Sequence, residues 1–127
     1  MKVRHWFLAQ ILLLAVLLTG CGKPAGTNTA EFEKAFHLAK GAKGAPEDPA
    51  IKAACEETLA ALKASDLPRA MGSLGRLRYT QGLTVDQEIA VQNLLGGVQV
   101  KLADKAEHGD KAAIEAIANM KRNSGRR

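Results

Sequence analysis

Two cysteines, three histidines and the adjacent carboxylates Glu56 and Glu57 are the side chains of this 127-residue chain with the most chemistry to offer. Cys21 stands after a short apolar run and the small pair Thr19-Gly20, which leaves the backbone before it open to a peptidase. A thiolate at that place is a nucleophile that can be alkylated or acylated. Cys55 falls on the apolar side of a helical pattern and is expected as a small buried hydrophobe, with a disulfide to a second chain as the alternative. His37 and His108 stand far apart, and no His or Cys cluster has zinc spacing. No Cys-x-x-Cys-His is present for haem attachment, and neither a Gly-x-Ser-x-Gly elbow nor a Walker-type loop occurs. Neighbours on a helix point about 100° apart, so Glu56 and Glu57 read as two solvated charges rather than an acid–base pair. The pattern is that of a non-enzyme, with no catalytic residue, metal ligand or cofactor site to assign.

The first twenty residues explain Cys21. Lys2, Arg4 and His5 make a positive start, and from Trp6 to Leu18 only Gln10 is strongly polar. That run gives roughly 20 Å of helix, too short for a bilayer core of about 30 Å but suited to the core of a signal peptide. Leu18-Thr19-Gly20-Cys21 resembles the lipobox of bacterial lipoproteins: an aliphatic residue, two small ones and the cysteine that accepts lipid. The resemblance covers residues 1–21 only. It implies that residues 1–20 are removed, that Cys21 carries a diacylglycerol group and an amide-linked acyl chain such as palmitate, and that the rest is anchored to a membrane. At about 0.8 kcal/mol per buried methylene, two or three chains hold a small domain firmly. Gly22 after the cysteine, rather than Asp, implies the outer membrane facing the periplasm over the inner membrane.

The chain beyond Cys21 has the length of one domain, rich in Ala, Leu, Lys and Glu and poor in strand formers. Lys2 and Arg4 leave with the leader, so the remaining charge is modestly positive and calls for no nucleic-acid partner. Residues 21–28 read as lipidated Cys and flexible tether, 29–122 as a helical domain and 123–127 as a basic tail. The tail, rich in Lys and Arg from Lys121 onward, is expected to be frayed, with a grip on lipid phosphate as the alternative.

Five helices are expected. The first runs from Thr29 to about Lys40, with Asn28 and Glu31 as a capping box and Thr29 as a competing cap. Phe32, Ala35, Phe36 and Ala39 form its stripe. Phe32 and Phe36 are expected to plug the core; left exposed, they would form an interaction surface. Asp48-Pro49 opens the second helix, which reaches Ala64 with Ile51, Ala54, Cys55, Thr58, Leu59 and Leu62 inward. Ser65-Asp66 ends it and caps a third, from 66 to 80, whose inward residues are Leu67, Ala70, Met71, Leu74 and Leu77 or Arg78. Gly72 and Gly75 suggest close approach of a neighbouring helix, and Gly82 a left-handed cap.

Thr84 and Gln87 form a second capping box ahead of the longest helix, 85–107, with Ile89, Val91, Leu94, Leu95, Val98 and Leu102 inward. Gly96 and Gly97 either kink it or offer bare backbone to a partner. Asp110 caps the last helix, 111–122, with Ala113, Ile114, Ile117 and Ala118 inward.

The turns at Ser65-Asp66 and Gly109-Asp110 occupy similar places, which makes two helical hairpins, 50–80 and 84–122. This resembles a degenerate tetratricopeptide-type hairpin pair, although that family's aromatic and proline signatures are missing and no binding residues transfer. The fold class is all-α, a small bundle or repeat-like stack of about five helices. The functional expectation is a lipid-anchored envelope protein whose domain binds another protein, most of all through the hairpin 66–80/85–107. The alternative is a lipid-anchored carrier that closes its helices around an apolar small ligand.

Overall fold

Four helix starts are written in the sequence, and each is made by the residue expected. The computed structural model describes residues 27–126. They form α1 (Ala30–Ala35), α2 (Pro49–Lys63), α3 (Leu67–Arg78), α4 (Val85–Glu107) and α5 (Lys111–Ser124), with no strand among the described residues. Asp48 accepts from the Ala50 amide at 2.8 Å, Asp66 from Arg69 at 3.2 Å and Asp110 from Ala113 at 3.0 Å. Thr84 and Gln87 close the full capping box, Thr84 accepting from the Gln87 amide while the Gln87 side chain accepts from the Thr84 amide. Each such cap satisfies an amide that the first helical turn leaves without a partner.

The two hairpin corners are built alike. At the first, Ser65 adopts a left-handed φ of 56°. Its amide donates to Leu62 O, and the Asp66 amide donates to Ala61 O at 2.8 Å. At the second, Gly109 has φ 85°, its amide donates to Ala106 O, and the Asp110 amide donates to Lys105 O at 3.0 Å. These are Schellman closures, which tie off the last carbonyls of a helix. In both, the aspartate that finishes one helix with its backbone starts the next with its side chain.

Consecutive helices from α2 to α5 pack against one another, α3 also touches α5, and α1 lies along α4. The core between them is continuous. Phe32 and Phe36, with ring centroids 4.9 Å apart, are fully buried beside Leu74, Leu77, Val91, Val98 and Leu102. Burying a Phe is worth about 1.5–3 kcal/mol over leaving it in water, so this pair is the reason a six-residue helix stays docked. Between α2 and α3 lies a buried polar contact, Thr58 Oγ1 to Ser73 Oγ at 2.7 Å. Ala54 O and Ala70 O lie within bonding distance of Thr58 and Ser73 respectively, so both hydroxyls have partners within the core.

Several expectations are corrected. α1 stops at Ala35, well short of Lys40, because His37 turns left-handed (φ 51°) and the Leu38 amide donates back to Glu33 O, a third Schellman closure. There is no capping box at its start: Asn28 accepts from the Ala30 amide and Glu31 meets Asn93 instead. Phe32 and Phe36 are sealed in the core and form no interaction surface. A side-chain carbon added at Gly72 or Gly75 would meet nothing within 4 Å, so no neighbour approaches there. Gly82 is left-handed but sits in the turn before α4, since α3 has already ended at Arg78. Ile89 and Ile114 are exposed. On α5 it is Ala113, Ala116, Ile117 and Met120 that meet the core, and the helix continues to Ser124.

The corners carry a measurable asymmetry, because a left-handed Ser is strained where Gly is not. Ser65→Gly is expected to raise stability by about 0.5–1 kcal/mol, and Gly109→Ala to lower it by about 1 kcal/mol. Urea midpoints at constant m-value read both effects.

Candidate functional site: the open face of the long helix

α4 carries two apolar faces. One, through Ala90, Val91, Leu94, Leu95, Val98 and Leu102, is buried against α1, α3 and α5. The other has no helix on it among the described residues. Val85, Ile89 and Val100 there are 70%, 53% and 55% exposed. At about 100° per residue, Val85, Ile89, Gln92, Gly96 and Val100 fall within an arc of about 80°, along roughly 22 Å of helix. A side-chain carbon added at Gly96 would meet nothing within 4 Å, so the glycine leaves a hollow in the middle of the stripe. Gly97, one residue on, is buried, and the helix runs through both glycines unbroken.

Ile89 stands between two clefts. One, of about 690 Å³, lies between α4 and the end of α1 and is lined by Glu31, Lys34 and His37 opposite Asp86 and Ile89. The other, of about 430 Å³, includes Arg78, Leu83, Glu88 and Gln92. Both open to solvent with charged walls. This is the geometry of a contact surface, with one apolar projection flanked by polar grooves, and no enclosed pocket is part of it.

α1 runs antiparallel along α4. Gln87 Nε2 donates to Ala35 O at 3.4 Å, Asn93 pairs with Glu31, and Lys101 Nζ donates to Thr27 Oγ1 at 2.9 Å. Thr27, the first described residue, therefore lies beside Lys101, roughly a third of the way round the helix from the open stripe. Cys21 itself lies outside the described residues, as does all of the 1–20 leader.

The titratable groups fall elsewhere. Cys55 is fully buried, and burial together with Glu56 pushes its thiol up to about 12. It is therefore a packed hydrophobe, out of reach of a second chain. His108, at the end of α4, is fully exposed; its Nδ1 lies 2.8 Å from Asp104 O, and that carbonyl, then the Asp104 carboxylate, raises its pKa. Glu57 on α2 pairs with Arg69 and Arg76 of α3, a surface bridge of modest worth. No group of three or more His, Cys, Asp or Glu able to hold a metal occurs among the described residues, and none of their helices is long and apolar enough to cross a membrane.

Of the residues read from the sequence as an interaction surface, Gly96 alone is on the open face; Phe32, Phe36 and Gly97 are buried. Sequence periodicity assigns Val85 and Val100 to no face and Ile89 to the buried one, whereas all three line the open stripe. Their spacing of four, seven and four residues through Gly96 is the signal of a second stripe. No protein-family model, curated protein or solved structure matches this chain.

Cys55 is expected to resist thiol reagents in the native domain at neutral pH and to react at once in denaturant; rapid native modification would contradict its burial. His108 is expected to titrate above the usual histidine value by proton NMR. A raised native pKa favours folding in full below the ordinary value and loses that contribution as pH rises through the native one. His108→Gln should remove this small decline in stability with rising pH.

Proposed function

We propose that this chain is a lipid-anchored protein of the bacterial cell envelope whose helical domain binds protein without catalysing a reaction. The carrying observation is Leu18-Thr19-Gly20-Cys21 behind a positive start and a short apolar run. Two further features support the reading. A domain that needs no partner gains little from keeping Val85, Ile89 and Val100 in water on one side of its longest helix. A tether of Gly, Lys, Pro, Ala and Gly between Cys21 and the first described residue suits a domain held close to a surface. The anchor supplies location, and the open face of α4 supplies recognition. The Gly at position 22 favours the outer membrane as the site.

The test is Cys21→Ser in the full chain, expressed in a bacterium fed labelled palmitate. The wild type is expected to take up label and to sediment with membranes after a high-salt wash. The variant should carry no label and retain the uncleaved leader. Equal labelling of the two would end the lipoprotein reading.

A further inference from the structure

We infer that the open face of α4 receives a second copy of this chain, with the two α4 helices antiparallel and Ile89 of each seated over Gly96 of the other. The inference rests on the lipid-anchored reading, which brings copies together in one plane, and it names the partner that reading leaves open.

The stripe is self-complementary. About a centre between Gln92 and Asn93, an antiparallel two-fold matches position 85 with 100 and 89 with 96. The largest projection on the face, Ile89, then meets its one hollow, Gly96, and this occurs twice, as a two-fold interface requires. Val85 meets Val100, and the amides of Gln92 and Asn93 surround the axis. A parallel pairing would set Ile89 against Ile89 and leave both hollows empty.

Charge disfavours the parallel alternative. Between Val85 and Lys101, α4 carries Asp86 and Glu88 at one end and Lys101 at the other, with no charge between. A parallel pairing would set Asp86 and Glu88 of one copy beside those of the other, whereas an antiparallel pairing keeps the two acidic ends apart. The same charge pattern argues against this face lying on anionic lipid, since no basic residue is in the stripe and two acids flank it.

The tether is compatible with the antiparallel pair. Thr27, to which it connects, lies beside Lys101, to one side of the stripe. A two-fold axis that relates antiparallel helices carries both such sides to the same side of the pair; one that relates parallel helices carries them to opposite sides. Six residue steps from Thr27 to Cys21 span at most about 20 Å, so in the antiparallel pair both lipids extend to a leaflet lying on that shared side. A stripe about 22 Å long is a small interface for free solution, and confinement to a membrane raises the effective concentration of one copy around another.

Disulfide trapping in membranes tests this with the full chain. Two differently tagged copies, one Ile89→Cys and the other Gly96→Cys, are co-expressed and treated with a mild oxidant, while palmitate labelling reports the anchor. Both positions are open in the domain, and continued protection of Cys55 confirms folding. The mixed pair is expected to crosslink at least tenfold more than either variant alone, because like positions lie about 10 Å apart along the axis, beyond disulfide reach. Gly96→Leu, which fills the hollow, should cut self-crosslinking of Gln92→Cys at least tenfold. Labelled protein with no mixed crosslink, or with equal crosslinking of Ile89→Cys alone, overturns the dimer and leaves the anchor standing. Unlabelled protein that still gives the mixed crosslink overturns the anchor and leaves the pairing standing.

Discussion

The domain's register depends on how α2 meets α3 and α4 meets α5 at corners of three residues. A helix end leaves carbonyls without partners, and the next helix start leaves amides without partners. Asp66 and Asp110 meet both needs, the backbone amide closing one helix and the carboxylate opening the next. With no slack in the connection, the rotation of the second helix about its axis is fixed by the first. One residue more or less would turn it by about 100° and take Ser73 away from Thr58. That pair shows how closely the register is set: two hydroxyls have two hydrogens to share among three short contacts, so one donates to its own helix while the other donates across.

α4 is where the two hairpins and the N-terminal arm become one domain. It touches α1, α3 and α5. Three neighbours occupy one part of its circumference and leave the remainder open. α1 is too short to hold itself helical in isolation, and its place depends on Phe32 and Phe36 reaching the shared core. Thr27 precedes α1 in the chain, so the packing of these rings also fixes where Thr27 sits against α4.

Helix starts are legible because their signals are local. Asp48-Pro49, Thr84 with Gln87, and the Ser65-Asp66 and Gly109-Asp110 turns each specify hydrogen bonds within a few residues. The end of α1 is hidden because a left-handed histidine, unlike a left-handed glycine, leaves no mark in the sequence. The open face is hidden for another reason. A helix apolar on two sides offers two stripes, and periodicity alone cannot say which of them a neighbour covers, so Ile89 reads as a companion of Val91 and Leu94. Glycine spacing misleads in the same way at Gly72 and Gly75, where room exists and nothing fills it.

The sequence of helix contacts also fixes how unevenly the domain is held. Among the helices, α2 rests on α3 alone, whereas α4 has three neighbours. Detaching α2 breaks one interface and leaves the α1–α4–α5 assembly intact; detaching α4 dismantles the domain. Amide hydrogens of α2 are therefore shielded through one extensive interface, and those around Val91 to Val98 through three. The domain is a spine with an outer leaf, and among the helices the leaf's hold on the rest passes through α3 alone.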